Sequence, residues 1–368
     1  MITNAEKKIR VLIVDDSAFM RRVLEEIISS DPRLEVVGQA RDGREAVAMA
    51  ESMQPDVITM DINMPRMDGM EATKLIMTQH PRPILVVSSE SREGASSALR
   101  VLELGAIDFV SKPSSGIDLD MKNVKEELLR KLKMAAKVRV VRTATLGVRA
   151  ERNETVPAYR PLKTSASGDS KFPLVVIAAS TGGPATLMNL VPNFPRDFPG
   201  AIVLIQHMPA AFTSQLSVQL AEVSAIRVKE AEDREMIRPG VFYVCPGSHH
   251  LRFSSGGQII LDDGPRISGY RPCADVSFES AAAYGGSQDI GVVLTGMGGD
   301  GARGVQAVKA AGGWALAQDE ATSVIFGMPA EAIRTGAVNQ VLGIQGIYPA
   351  IEKRMEQIGR AIQPAGVR

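Results

Sequence analysis

Short apolar runs that end on a polar residue, alternating with amphipathic helical stretches, constrain this chain more than any other feature. In the first third, residues 10–14, 36–40, 57–60, 84–88 and 109–111 read as strands, and 18–29, 43–52, 70–79 and 96–104 as helices. Runs with no polar alternation belong in a parallel sheet covered by helices on both faces. The order predicts a doubly wound α/β sheet with its site outside the strands' carboxyl ends. Asp15 and Asp16 follow the first run, Asp61 the third, Ser88 closes the fourth, and Lys112 follows the fifth. One acidic residue at a strand end is ordinarily a helix cap; five polar residues gathered at these ends argue for a site. Carboxylates at one edge repel unless a hard cation neutralises them, and Mg²⁺ with oxygen ligands fits. A lysine and a hydroxyl beside them can hold phosphoryl oxygens.

A second α/β series starts with the buried run 172–179, which leads into Ser180-Thr181-Gly182-Gly183-Pro184 and a helical stretch at 185–190. A serine on a sharp strand-to-helix turn has its hydroxyl exposed, and helix-start amides can donate to an oxyanion. Compared with the G-x-S-x-G elbow, Gly182 stands at +2 but Ala178 replaces glycine at −2. Two further strands, 201–206 and 290–295, end at His207 and run into Gly296-Met297-Gly298-Gly299-Asp300-Gly301. Ser180, His207 and Asp300 therefore stand past the ends of buried strands, where an open parallel sheet gathers its ligands. A serine nucleophile needs a base, and the base needs an orienting carboxylate. Backbone amides around Thr181 and Met297 are the candidate oxyanion donors. Of the other histidines, His80 falls at a helix end, and the adjacent His249 and His250 have no metal-ligand spacing.

Gly296-x-Gly298-x-x-Gly301 also matches the dinucleotide-binding fingerprint, with Asp319-Glu320 about twenty residues on. Against that reading, Asp300 would set a negative charge at the helix start where a pyrophosphate should lie. It also leaves Ser180 and His207 without a role.

Length and charge narrow the remaining classes. A chain of 368 residues has room for two domains, and 42 basic against 42 acidic residues leave no global field for nucleic acid or an anionic membrane. No apolar run reaches the ~20 residues of a membrane span, and no signal-peptide pattern is present, so the expectation is a cytoplasmic protein. Cys245 and Cys273 match no zinc or redox spacing. Between residues 125 and 163 there are eleven Lys/Arg against four Asp/Glu. Residues 124–136 keep helical spacing, whereas 143–170 read as a flexible linker. The basic residues of 125–163, Arg139, Arg142 and Arg149 among them, could dock an acidic partner.

Asp15-Asp16, Met60-Asp61-Ile62-Asn63-Met64-Pro65 with Asp68-Gly69, Ser88 and Lys112-Pro113 resemble the receiver domain of two-component response regulators. The resemblance implies that Asp61 accepts a phosphoryl group from a histidine kinase of the chemotaxis type. It also implies that Asp15, Asp16, Asp61 and the Asn63 carbonyl hold Mg²⁺, that Lys112 contacts the phosphoryl group, that Ser88 and Phe109 form the switch pair, and that the bond before Pro113 is cis. With Ser180-Thr-Gly-Gly-Pro, Gln206-His207-Met208, Arg271-Pro272, Ala274-Asp275-Val276 and the Gly296–Gly301 loop, the whole chain except its linker resembles the CheB family of chemotaxis protein-glutamate methylesterases. Cys273 is a departure, since the family pattern has serine there; it lies outside the Ser/His/Asp set. The implied layout is a receiver over 1–124, a basic linker over 125–170 and a methylesterase domain over 171–368. The implied reaction is removal of methyl groups from glutamate esters on methyl-accepting chemoreceptors, with deamidation of glutamines in many members. No cofactor is implied at the esterase site, and the unphosphorylated receiver would cover it. The competing class, a phosphorylation-dependent interaction protein without catalysis, gives the Ser/His/Asp set nothing to do. A nucleic-acid-binding regulator lacks a recognisable helix-turn-helix.

Overall fold

The computed structural model describes residues 7–89, 91–112, 118–138 and 172–362. The chain forms two compact units, Met1–Arg152 and Asn153–Arg368. Pro113 and the basic residues Arg139, Arg142 and Arg149 lie outside the described residues.

In the first unit, β1 (Ile9–Val14), β2 (Leu34–Ala40), β3 (Val57–Asp61), β4 (Ile84–Ser88) and β5 (Asp108–Ser111) alternate with α1 (Ala18–Ser29), α2 (Gly43–Met53), α3 (Gly69–Gln79), α4 (Arg92–Glu103) and α5 (Asp118–Ala135). The strands pair in parallel in the order β2-β1-β3-β4-β5. The first four helices each start on a short polar side chain that accepts a first-turn amide: Ser17, Asp42, Asp68 and Ser91. The helical spacing at 124–136 is the second part of α5. This helix buries Leu128, Leu132 and Ala135, one side of it, and packs on β4, β5 and α1.

The second unit holds β6 (Leu174–Ala179), β7 (Ala201–Gln206), β8 (Arg227–Glu230), β9 (Val241–Val244), the β10 (His250–Phe253) and β11 (Ile259–Asp262) pair, β12 (Ile290–Val293), β13 (Trp314–Gln318) and β14 (Gln340–Leu342). Its helices are α6 (Gly183–Leu190), α7 (Ala210–Val223), α8 (Ala274–Gly285), α9 (Ala302–Ala310), α10 (Met328–Arg334) and α11 (Ile344–Ile362). Seven strands form one parallel sheet ordered β14-β13-β12-β6-β7-β9-β8, and β10 and β11 form a separate antiparallel pair. The order runs outward in both directions from β6 and β12, so the topological switch point lies between them. The strands flanking β6 are β12 and β7, which carry the Asp300 loop and His207. Two parallel α/β sheets are what the alternation predicted; the antiparallel pair and the sheet strands β8, β9, β13 and β14 were not anticipated. The half-exposed edge strands β8 and β14 have no apolar run.

Leu132 is fully buried in α5. Leu132→Ala should cost the first unit about 2–5 kcal/mol, read as faster hydrogen exchange at β4 and β5 amides with the second unit's exchange unchanged.

Candidate active site

Ser180 follows β6 directly, and its backbone is held on three sides. Its N–H donates to Thr295 O (3.0 Å), and its carbonyl accepts from Gly183 N (2.8 Å) and Gln206 Nε2 (2.9 Å). Thr295, two residues past β12, also donates its hydroxyl to Thr181 O (3.0 Å). The turn depends on two glycines. Gly182 has φ +77°, and a Cβ there would meet Val324 Cβ at 2.5 Å. A Cβ on Gly296 would lie 2.8 Å from Ser180 Cβ, so the loop after β12 can approach the serine only without a side chain there. No side chain caps α6, whose first turn opens beside Ser180.

His207, one residue past β7, pairs through Nε2 with Asp300 Oδ2 at 2.7 Å. Its other ring nitrogen, Nδ1, is buried and has no hydrogen-bond partner. Among the described residues, no hydrogen bond joins Ser180 Oγ to His207. With Nε2 taken by the carboxylate, Nδ1 is the nitrogen left to meet the serine; this reverses the ring orientation of the chymotrypsin template, where Nδ1 faces aspartate.

Asp300 is 4% exposed and accepts from four donors. His207 Nε2 and Ala274 N (2.6 Å) reach Oδ2, while Asp275 N (2.9 Å) and Cys273 Sγ (3.1 Å) reach Oδ1. Ala274 and Asp275 are the first residues of α8, so Asp300 caps that helix. Asp275 in turn accepts from Gly301 N (2.9 Å) and Gly304 N (2.8 Å) at the start of α9 and pairs with Arg303 Nε (3.1 Å). Each helix start thus holds the carboxylate supplied by the other segment. This disposes of the dinucleotide reading: the amides a pyrophosphate would need are already bound to Asp275. Asp300 lies at the start of α9 in sequence, but it serves α8 in space.

Burial disfavours the ionised Asp300, but His207 and the two amides outweigh it and bring its pKa from 3.8 to about 2. Burial and the Asp300 charge push the Cys273 thiol up to about 12, so it remains a neutral donor. Thr181 and Met297, the expected oxyanion positions, are both buried, and the Met297 N–H has no protein acceptor among the described residues. His249 and His250 contribute no metal cluster among the described residues; His250 Nε2 lies 3.1 Å from Pro265 O.

In the first unit, Asp15, Asp16 and Asp61 bring carboxylate oxygens within 4.8 Å of one another. Lys112 Nζ lies 3.0 Å from Asp15 and 2.8 Å from Asp61. Burial, helped by the charge of Asp15, raises the pKa of Asp61 despite Lys112; burial alone would lower that of Lys112, but Asp61 and Asp15 reverse the shift upward. Three carboxylates against one ammonium leave an excess of negative charge with hard oxygen donors, a set that fits Mg²⁺. Asn63 sits exposed two residues beyond Asp61. Ser88 donates to Gly94 O (3.1 Å), so its hydroxyl is turned to α4. Phe109 is buried, with Lys131 Nζ 5.1 Å from its ring centroid and 2.7 Å from its carbonyl oxygen.

Residues 175–351 match the CheB methylesterase family, and residues 11–122 match the response regulator receiver domain. The chain is 46% identical over 355 residues to the protein-glutamate methylesterase/protein-glutamine glutaminase of Pyrococcus horikoshii, covering 96% of this chain and 95% of the relative. The chain belongs to the CheB methylesterase family. A protein of the same name from Symbiobacterium thermophilum is 43% identical over 357 residues, covering 96% of this chain and 99% of its own length. The chain is also similar to the crystal structure of the Thermotoga maritima CheB methylesterase catalytic domain, at 42% identity and a TM-score of 0.47 over 50% of this chain and 97% of that one. No helix of the described residues is long and apolar enough to cross a membrane.

At this CheB-family site a sequence reading passes over Tyr270 and leaves Cys273 and Asp275 without a structural role. The imidazole of His207 stacks on Tyr270 at 4.2 Å between centroids and 15° between planes. Cys273, set outside the Ser/His/Asp group by the sequence, touches its carboxylate. All three precede or open α8, whose position beside Asp300 is a tertiary fact.

The low pKa of Asp300 gives a signed expectation. A carboxyl depressed by folding stabilises the native state above its ordinary pKa, and that contribution is lost as pH falls from near 4 towards about 2. The stability advantage of wild type over Asp300→Asn, read as a urea midpoint, should be constant above pH about 5 and shrink below it.

Proposed function

We propose that the chain is a phosphorylation-activated serine hydrolase that removes methyl groups from glutamyl esters on methyl-accepting chemoreceptors. Deamidation of receptor glutamines is the second reaction of the same centre. The observation that carries this reading is the 2.7 Å His207–Asp300 pair on the strand next to Ser180, with Nδ1 buried and unbonded. The tautomer that donates Nε2–H to Asp300 leaves a lone pair on Nδ1.

In the forward step, Ser180 Oγ attacks the γ-carbonyl carbon of the ester as His207 Nδ1 takes the hydroxyl proton. Asp300, kept ionised by the start of α8, stabilises the imidazolium that results. Negative charge gathers on the former carbonyl oxygen, where the Met297 and Thr181 amides and the uncapped start of α6 favour it. The tetrahedral intermediate collapses by breaking the C–OCH₃ bond, and Nδ1 returns its proton to the leaving methoxide as methanol. Water, deprotonated by the same nitrogen, then hydrolyses the Ser180 ester to leave glutamate and free serine. With glutamine, ammonia replaces methanol as the leaving group.

Control comes from the receiver. Asp61 is the phospho-acceptor, receiving its phosphoryl group from a histidine kinase. Asp15, Asp16 and Asp61, with the Asn63 carbonyl, would hold a Mg²⁺ that neutralises carboxylate and phosphoryl charge. Lys112 is close enough to Asp61 to pair with a phosphoryl oxygen. Ser88 would have to give up the Gly94 carbonyl to reach the same group, and Phe109 follows it as the second half of the switch.

Methanol release from a chemoreceptor cytoplasmic fragment carrying labelled methyl esters tests both halves. Ser180→Ala and His207→Ala should each lower turnover by about 10⁴-fold or more; wild-type rates in Ser180→Ala would end the nucleophile assignment. Mg²⁺ with acetyl phosphate should raise the wild-type rate and leave Asp61→Asn unchanged. An Asp61→Asn protein that responds as wild type does would remove Asp61 from the control mechanism.

A further inference from the structure

Tyr270 touches both the base and the loop carrying the expected oxyanion donor. Its ring lies nearly parallel to the His207 imidazole, at 15° and 4.2 Å. Its hydroxyl donates to Met297 O at 3.4 Å, a long hydrogen bond. The hydroxyl also lies so close to Gly298, whose φ is +91°, that a Cβ at that position would run into it. Tyrosine and glycine therefore fit as a pair.

The mount is stiff. Ile267 and Tyr270 exchange two backbone hydrogen bonds, Ile267 N to Tyr270 O (3.0 Å) and Tyr270 N to Ile267 O (2.9 Å). Ser268 and Gly269 between them have φ of +52° and +88°, the sense of a tight hairpin turn. The next residue, Arg271, donates Nη1 to Asp263 O (2.6 Å) and Gly264 O (2.8 Å), tying down the other side of the loop. Three residues further on, the chain enters α8 and supplies the amides that hold Asp300. One segment, Tyr270 to Asp275, thus fixes the imidazole plane at one end and its carboxylate partner at the other.

A 2.7 Å hydrogen bond alone leaves an imidazole free to rock about the Nε2···Oδ2 line, and rocking swings Nδ1 away from the serine. A ring stacked on one face removes that freedom. We propose that Tyr270 is a positioning residue of the esterase centre, holding His207 in the plane that keeps Nε2 on Asp300 and Nδ1 available to Ser180. The hydroxyl contributes less, by steadying the Met297 peptide. This rests on the hydrolase reading above, which Ser180→Ala tests separately.

The experiment compares full-length wild type, Ser180→Ala, Tyr270→Ala, Tyr270→Phe and Tyr270→Trp for methanol release from the labelled chemoreceptor fragment. ¹⁵N-histidine spectra of the same proteins report the His207 Nε2–H proton. Tyr270→Ala should lower kcat by about 10- to 100-fold with KM little changed, the size expected when a reacting group is misplaced by about an ångström. Its downfield Nε2–H signal should broaden or vanish. Tyr270→Phe and Tyr270→Trp, which keep a stacked ring, should stay within about threefold of wild type and retain the signal; this rescue also separates positioning from misfolding. A Tyr270→Ala protein with wild-type kcat and an unaltered signal overturns the proposal, as does a Tyr270→Phe protein as impaired as Tyr270→Ala. A fragment hydrolysed equally by wild type and Ser180→Ala would instead overturn the hydrolase reading.

Discussion

The second unit is organised around an exchange of carboxylates between two helix starts. Asp300 precedes α9 but caps α8; Asp275 opens α8 but caps α9. Each satisfies amides that would otherwise be unpaired inside the protein, and each sits where the helix dipole favours negative charge. The exchange brings the starts of α8 and α9 together, and Phe278 packs between them so closely that Gly304 has no room for a side chain. A buried carboxylate is normally costly. Here four donors make its ionised form the favoured one, which is the form an orienting partner for histidine must have.

The rest of the centre follows from the sheet. β6 lies between β12 and β7, so the residues just beyond their ends are neighbours without any long loop having to reach across. Glycines then set the closest distances: Gly182 turns the chain after the serine, and Gly296 lets the β12 loop come against it. The same glycine-rich loop that imitates a dinucleotide fingerprint serves a different purpose, since its helix-start amides are filled by Asp275. A motif defined by spacing reports a loop shape, and the shape is shared by both uses.

Much of this was legible in the sequence because buried parallel strands are continuous apolar runs, and the polar residue ending each run marks the sheet's working edge. Ser180, His207 and Asp300 could be picked out for that reason, as could Asp15, Asp61 and Lys112. β8 and β14 could not, because edge strands one face of which meets water lack such runs. The contacts of Tyr270 and Cys273 were hidden for another reason. An aromatic and a thiol ahead of a helix carry no sign of what they touch, and their partners, His207 and Asp300, arrive from positions 63 and 27 residues away in the chain. Asp275 reads locally as an ordinary acidic residue in a first turn; that it caps a neighbouring helix depends on packing alone. The reversed imidazole, with Nε2 towards the carboxylate, is likewise a property of the assembled site.

The most direct test of this account is to treat the full-length protein with a fluorophosphonate and map the modified residue by peptide mass spectrometry. The account predicts a single adduct on Ser180, formed much more slowly in His207→Ala and Asp300→Ala proteins that remain folded. An adduct at another residue, or labelling of Ser180 at an undiminished rate without His207 and Asp300, would contradict it.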